Sequence, residues 1–114
     1  MGLRVIDEII ALSVEIKRVV AEVRGQNAEL AAQLERAWCR VATGTGEGQL
    51  RRGAKGKNRF DDALGEAKEA HVALRYAAAC GYAEVDAELL RRVDGVAAVL
   101  FTLARRKARL KPSR

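Results

Sequence analysis

Two short stretches of the chain are dense in basic residues, and they are the sequence's main candidates for a binding surface. Residues 51–59 contain five bases and residues 105–114 contain six, with no acid in either stretch. Because the net charge of the whole chain is only +6, the remaining residues are net acidic and the basic charge is localised. Clustered Lys and Arg side chains favour a polyanion, since binding releases its condensed counterions. The alternatives are a solvated helix face, an anionic membrane surface and an acidic protein.

The first basic stretch lies in a glycine-rich segment, Thr43–Arg59, that we tested as a phosphate-binding loop. A nucleotide-hydrolysing loop needs Gly, four residues, Gly, Lys and then Ser or Thr, directly after a β-strand. Gly48 and Gly53 have that separation, but Ala54 stands where Lys is required and no strand precedes the segment. The segment holds half of the ten glycines, each of which disfavours a helix. We therefore predict a hinge between two helical hairpins and no nucleotide-hydrolysing site.

The other residues with chemical potential, which are Cys39, Cys80, His71 and Trp38, form no catalytic or metal-binding pattern. The cysteines lack metal-ligand spacing, and His71 has no second histidine or carboxylate at helical spacing. We expect free thiols, as in a reducing cytosol, and a buried or half-buried neutral histidine. Trp38 is expected to pack against the core, the alternative being a stacking platform for a base. The sequence predicts no catalytic residue, metal ligand or cofactor.

The composition is typical of one helical domain. Of the 114 residues, 49% are hydrophobic but only 4% are aromatic, and the single proline is at position 112. A chain of this length can bury a core without disulfides. No apolar run approaches the roughly 20 residues of a transmembrane helix, and Asp7 and Glu8 interrupt the apolar core that a signal peptide would need. We expect a cytoplasmic protein with no membrane partner.

Apolar residues recur at intervals of three and four in four segments, a spacing that places them on one face of a helix. The predicted helices span about residues 3–24, 28–46, 58–80 and 84–110, and residues 111–114 form a short basic tail. The predicted core positions of the first helix are Val5, Ile9, Leu12, Ile16, Val19 and Val23. A second row beside them contains Leu3, Ile6, Ile10 and Val20. This second row indicates either a broad core face or a subunit interface.

The other helices show the same rhythm. The predicted core positions are Leu30, Leu34, Ala37 and Val41 in the second helix, and Leu89, Val93, Val96, Leu100, Leu103 and Leu110 in the fourth. The predicted core positions of the third helix are Phe60, Leu64, Ala67, His71, Leu74 and Ala78, with Ala63, Ala70 and Ala77 alongside. The row of alanines predicts a close approach to a neighbouring helix.

Local signals mark where the helices begin and end. Asn27 and Asn58 are predicted helix caps, and Glu84 or Asp86 is predicted to start the last helix. Gly81 is predicted to end the third helix in a left-handed conformation.

Two tight links and one longer basic link predict an all-α, antiparallel up-down-up-down four-helix bundle as a single domain over residues 1–110. In this topology the break after the second helix and the end of the fourth helix lie at the same end of the bundle. We therefore expect residues 51–59 and 105–114 to form one surface, which we call the basic pole.

Several segments also point to a family. They are Ala11–Ile16 (ALSVEI), Gln33–Ala37 (QLERA), Glu47-Gly48 followed by bases, Phe60, and Cys80-Gly81-Tyr82 before the last helix. In order and spacing they resemble, over nearly the whole chain, the small bacterial four-helix-bundle proteins first noticed in intervening sequences of large-subunit ribosomal RNA genes. That family usually has a Ser-x-Pro-x-Asn-x-x-Glu-Gly segment at the end of the second helix. Here only Glu47 and Gly48 match, and Arg40, Ala42 and Gly44 stand at the Ser, Pro and Asn positions.

More distantly, the chain resembles the accessory variability proteins of diversity-generating retroelements. These resemblances imply a non-enzymatic homo-oligomer, a homopentameric ring in the retroelement proteins, that works with a reverse transcriptase and its RNA.

Two hypotheses follow. In the first, the protein binds RNA or DNA without reading its sequence. The side chains expected to contact phosphates are Arg51, Arg52, Lys55, Lys57, Arg59, Arg105, Arg106, Lys107, Arg109 and Lys111. In the second, the protein is an interaction module whose helices bind a partner such as the reverse transcriptase, without direct nucleic-acid binding.

Overall fold

The structure is a computed structural model that describes the backbone of residues 2–109 and the side chains of residues 4–109. It contains four helices, α1 (Gly2–Arg24), α2 (Ala28–Leu50), α3 (Gly53–Ala79) and α4 (Ala87–Arg109), and no strand within residues 2–109. Each helix packs on the next, and α4 closes the bundle against α1. The contacts of α3 with α2 and α4 are the most extensive, and those between α1 and α4 are the least. The predicted all-α four-helix bundle is confirmed.

Local sequence signals end and begin these helices as the chain predicts. The side chain of Asn27 accepts a hydrogen bond from the Leu30 N–H at 2.9 Å, and Asp86 accepts one from the Leu89 N–H at 2.8 Å. Each bond satisfies an amide that the first turn of a helix leaves without a partner. Gly81 ends α3 with a φ of 73°, so its left-handed conformation is confirmed. These caps make the two short links.

The core follows the predicted faces of α1 and α2 and that of α4 through Leu100. In α1 the six predicted core residues are all buried, and in the second row Val20 is buried whereas Ile10 is 59% exposed. That second row is therefore divided between the core and the outer surface.

The core face of α3 differs from the prediction by about one position. Its buried residues are Phe60, Ala63, Ala67, Ala70, Leu74 and Ala77. Of the residues expected in the core, Leu64 and His71 are only partly buried and Ala78 is exposed. The three alanines predicted to lie beside the core instead form part of it. Because α3 packs against both α2 and α4, small residues on this face allow the helices to approach closely.

The chain turns within Thr43–Arg59 as predicted, but the expected length of the break is wrong, because α2 continues to Leu50 and α3 begins at Gly53. Within residues 43–59, only residues 51 and 52 lie outside the helices. A methyl group added to Gly48 would lie 2.7 Å from atoms of the Phe60 ring, so this glycine allows α2 to pass close to α3. Close packing thus outweighs the roughly 1 kcal/mol that a helical glycine costs. The predicted cap Asn58 instead lies inside α3.

Candidate nucleic-acid interface

The two basic stretches come together at one end of the bundle. The first occupies the two-residue break and the first two turns of α3, and residues 105–109 of the second occupy the last turns of α4. The Lys107 Cδ lies 3.1 Å from the position that a Cβ on Gly56 would take, so the end of α4 packs directly on the start of α3. α4 therefore does not project as a free tail within the described residues, and Ala104 is buried.

Most of the bases at this end are exposed. Among the predicted contact residues that the structure describes, Lys57 and Lys107 are partly buried and the others are exposed. Lys111 lies outside the described residues, as do the rest of the predicted tail, residues 111–114, and the predicted last helical residue, Leu110.

Some of this charge is neutralised internally. Lys57 pairs with Asp61 one turn later, and Arg59 lies 3.4 Å from Asp62 and 3.9 Å from Glu47. In contrast, no carboxylate of residues 4–109 lies within salt-bridge distance of Arg51, Lys55, Arg106, Lys107 or Arg109. Arg105 likewise has no carboxylate partner in that range, and these six side chains supply most of the net positive charge of the pole.

The helix dipole acts differently on the two groups of bases. The last turn of α4 is the negative end of that helix, so Arg106, Lys107 and Arg109 are stabilised there for a structural reason. The start of α3 is a positive helix end, has no acidic residue in its first turn, and receives no side-chain hydrogen bond from its cap residue Arg52. Lys55 in that turn repels the dipole. Lys55 is therefore present despite a local electrostatic cost of a few tenths of a kcal/mol.

A surface cleft of about 340 Å³ opens beside the break. It is lined by Glu47, Arg51, Lys55, Asn58 and Arg59. The guanidinium and ammonium groups provide hydrogen-bond donors and positive charge, and the amides at the start of a helix are a further set of donors for an oxyanion. This arrangement can bind phosphate groups.

Of two aromatic residues considered for this surface, Trp38 is buried as predicted and Phe101 is exposed. Trp38 is 4% exposed, and its Nε1–H donates to the Ile9 carbonyl at 3.2 Å and to the Ser13 Oγ at 3.1 Å, so it packs as expected and cannot stack on a base. Phe101, which the sequence analysis did not single out, is 50% exposed, and the Arg105 guanidinium carbon lies 5.2 Å from its ring centroid. An aromatic residue four positions before an arginine, off the core face, was the available signal.

The remaining candidates stay separate from the pole. Cys39 and Cys80 are free and exposed, and His71 is partly buried in α3. Within residues 2–109 no three His, Cys, Asp or Glu side chains are grouped so that they could hold a metal ion. None of the helices there has the length and hydropathy needed to cross a membrane.

Comparison of the chain with protein-family models, with curated proteins and with solved structures found no match.

Proposed function

We propose that this protein is a non-enzymatic, cytoplasmic nucleic-acid-binding protein that contacts RNA or DNA phosphates through the basic pole and does not read sequence. The observation that carries the proposal is the charge at the start of α3. Arg51 and Lys55 are exposed, unpaired among the described carboxylates, and placed at the positive end of a helix. Such charge destabilises the folded protein slightly and is compensated when a polyanion binds.

The proposal includes self-association. The resemblance to four-helix-bundle proteins of ribosomal RNA intervening sequences and retroelements favours a homo-oligomer, with a pentameric ring as the model. On the outer face of α1, Ile10 is 59% and Val14 is 75% exposed, and apolar residues on one exposed face are a common feature of subunit contacts. In such an assembly several basic poles would contact one nucleic acid, and the assembly would bind with higher avidity than a single pole.

A second function is supported by a groove that extends away from the pole and shares Arg106 with it. An apolar groove of about 650 Å³ runs between α1 and α4, the least tightly packed pair of neighbours, and its lining includes Val5, Val96, Val99 and Leu103. This groove favours the interaction-module hypothesis, in which a protein such as a reverse transcriptase binds the helices. In that case the bases would contribute to solubility or to contacts with acidic side chains.

The decisive experiment compares two variants of equal charge. In the first, four exposed bases of the pole, Arg51, Lys55, Arg106 and Arg109, are changed to Gln. In the matched control, four exposed bases elsewhere on the bundle, Lys17, Arg36, Lys68 and Arg75, are changed to Gln. None of these eight side chains has a salt-bridge partner among residues 4–109.

Binding is measured by fluorescence anisotropy of a labelled structured RNA and a labelled DNA duplex at several salt concentrations. We expect wild-type affinity to fall steeply with salt. The pole variant should bind more weakly, and the slope of log affinity against log salt concentration for the duplex should decrease in magnitude by about 0.9 for each phosphate contact removed. The control variant should keep most of the affinity. Equal losses in both variants would show that net charge, not the pole, causes binding. If wild-type protein binds neither probe at low salt, the nucleic-acid proposal is wrong and the interaction module remains.

A further inference from the structure

We propose that Phe101 and Arg105 form a stacking platform for an unpaired base, so that the basic pole prefers single-stranded over double-stranded nucleic acid. This inference rests on the proposed nucleic-acid binding and adds the class of substrate. It is carried by the position, exposure and pairing of one aromatic side chain.

Phe101 is placed where a packed core residue would not be. It lies on α4 next to Leu100, which is fully buried, but its own ring is 50% exposed. Successive residues on a helix are rotated by about 100°, so Phe101 lies on the side of α4, at the edge of the core-facing row. Exposing this much of a phenyl ring forgoes the stabilisation that burial would provide.

The ring is continuous with unpaired basic charge. The Arg105 guanidinium carbon lies 5.2 Å from the Phe101 ring centroid, which is within the range of a cation–π contact. Arg105 and Arg109 follow Phe101 at intervals of four residues, so the three lie in one row along α4 with a rise of about 6 Å between neighbours. The row leads from the aromatic ring to the end of the bundle where the other bases lie.

No other described aromatic side chain can serve this role at the pole. Trp38 and Phe60 are buried. Tyr76 and Tyr82 pack edge to face on each other at the end of α3, which is the opposite end of the bundle from Gly53. Phe101 is therefore the one ring within residues 4–109 that is both exposed and adjacent to the pole.

This arrangement selects for unpaired bases. In a duplex the base faces are covered by their neighbours, and a protein reaches only the backbone and the groove edges. In a single strand the faces are open, and binding sites for single strands combine aromatic platforms with basic side chains that follow the backbone. Phe101 offers the platform for a nucleobase, and the Arg105 guanidinium contributes a second planar surface. The phosphates of the same strand contact Arg109 and the basic side chains of α3.

The test uses the full chain and two probes of equal length, a labelled oligothymidylate and a labelled DNA duplex. Phe101→Ala removes the ring, and Phe101→Leu keeps an apolar side chain without a π-face. Leu50→Ala is the matched control, since Leu50 is 86% exposed beside Arg51 but is not aromatic. We expect Phe101→Ala to lower single-strand affinity about 5- to 140-fold, and Phe101→Leu to lose most of the same factor. Both Phe101 variants should keep the wild-type salt slope and duplex affinity. Leu50→Ala should bind both probes as tightly as wild type.

A spectroscopic readout supports the same conclusion independently. In Phe101→Trp the new indole fluorescence should be quenched by the oligothymidylate and not by the duplex, whereas buried Trp38 should respond to neither. If Phe101→Leu binds the oligothymidylate as tightly as wild type while the wild type still binds the duplex with a salt slope, the stacking inference is wrong and the proposed function stands. If sedimentation shows that Phe101→Leu changes subunit number and both probes lose affinity together, Phe101 is a subunit contact and the inference is also wrong. Absence of wild-type binding to either probe would instead overturn the proposed function.

Discussion

The glycines of α2 provide a direct test of the packing that brings the basic stretches together. Gly46 and Gly48 both lie inside α2, two residues apart, but they face different surroundings. A methyl group on Gly46 would have no atom within 4 Å. A methyl group on Gly48 would lie 2.7 Å from Cδ1 and Cε1 of Phe60 and 2.9 Å from its Cγ. Gly48→Ala and Gly46→Ala therefore differ almost only in this contact.

The magnitude follows from comparing the two variants. Replacing a helical Gly by Ala raises the free energy of unfolding by about 1 kcal/mol, and this gain applies to both positions. At Gly48 the new methyl would overlap the ring by about 1 Å, since carbon atoms in contact prefer about 3.5–4.0 Å. Phe60 is 2% exposed, so its ring has little room to move, and overpacking of a core typically costs about 1–3 kcal/mol. We expect Gly48→Ala to be less stable than Gly46→Ala by about 1–3 kcal/mol.

The measurement is urea unfolding followed by far-UV circular dichroism, with all variants at one protein concentration because self-association would change the apparent stability. A Phe60→Leu background serves as the control. If the ring is the obstacle, Gly48→Ala should cost less in that background than in wild type, which is a coupling free energy of the kind expected between contacting residues. Equal stability of Gly46→Ala and Gly48→Ala would refute the close approach of α2 and α3.

Two further predictions concern the cap of α4 and its ion pair with α1. Asp86→Ala removes the acceptor for the Leu89 N–H and should lower the free energy of unfolding by about 0.5–2 kcal/mol in urea denaturation, with Asp86→Asn restoring most of it. Two hydrogen bonds from Arg92, at 2.8 and 2.9 Å, lower the pKa of Glu8 below its usual 4.5, despite the opposing effect of its partial burial. A lowered folded-state pKa means that the pair stabilises the fold above about pH 4.5 and that this contribution is lost as the pH falls further. Glu8→Gln should therefore be less stable than wild type at pH 7 by about 1 kcal/mol or less, because the pair is partly exposed. The difference should shrink as the pH falls below 4.5, and a difference that stays constant on acidification would contradict the prediction.

For the basic pole, the sequence predicts which residues belong to it and at which end of the bundle they lie. It does not predict their secondary structure. The sequence places five bases after the second helix and six near the end of the fourth, and antiparallel order then puts them at one end. The expectation of a longer basic link was wrong, because the first basic stretch is largely helical and starts α3. Phe101 was not singled out, because its one sequence signal, a phenylalanine beside the core row and four residues before an arginine, is as compatible with burial as with exposure until the neighbouring helices are placed.

The core faces of α1, α2 and α4, the helix caps and the turn at Gly81 follow from the sequence alone. The periodicity of α1, α2 and α4 selects their core faces, Asn27 and Asp86 cap the helices that follow them, and Gly81 permits the left-handed turn, because each interaction spans only a few residues. The ends of α2 and α3 and the buried face of α3 depend on packing between helices, which is seen only in the tertiary structure. Gly48 disfavours a helix in isolation, but against Phe60 it is the residue that allows two helices to pack closely, and no local pattern reports what a helix will meet across the core.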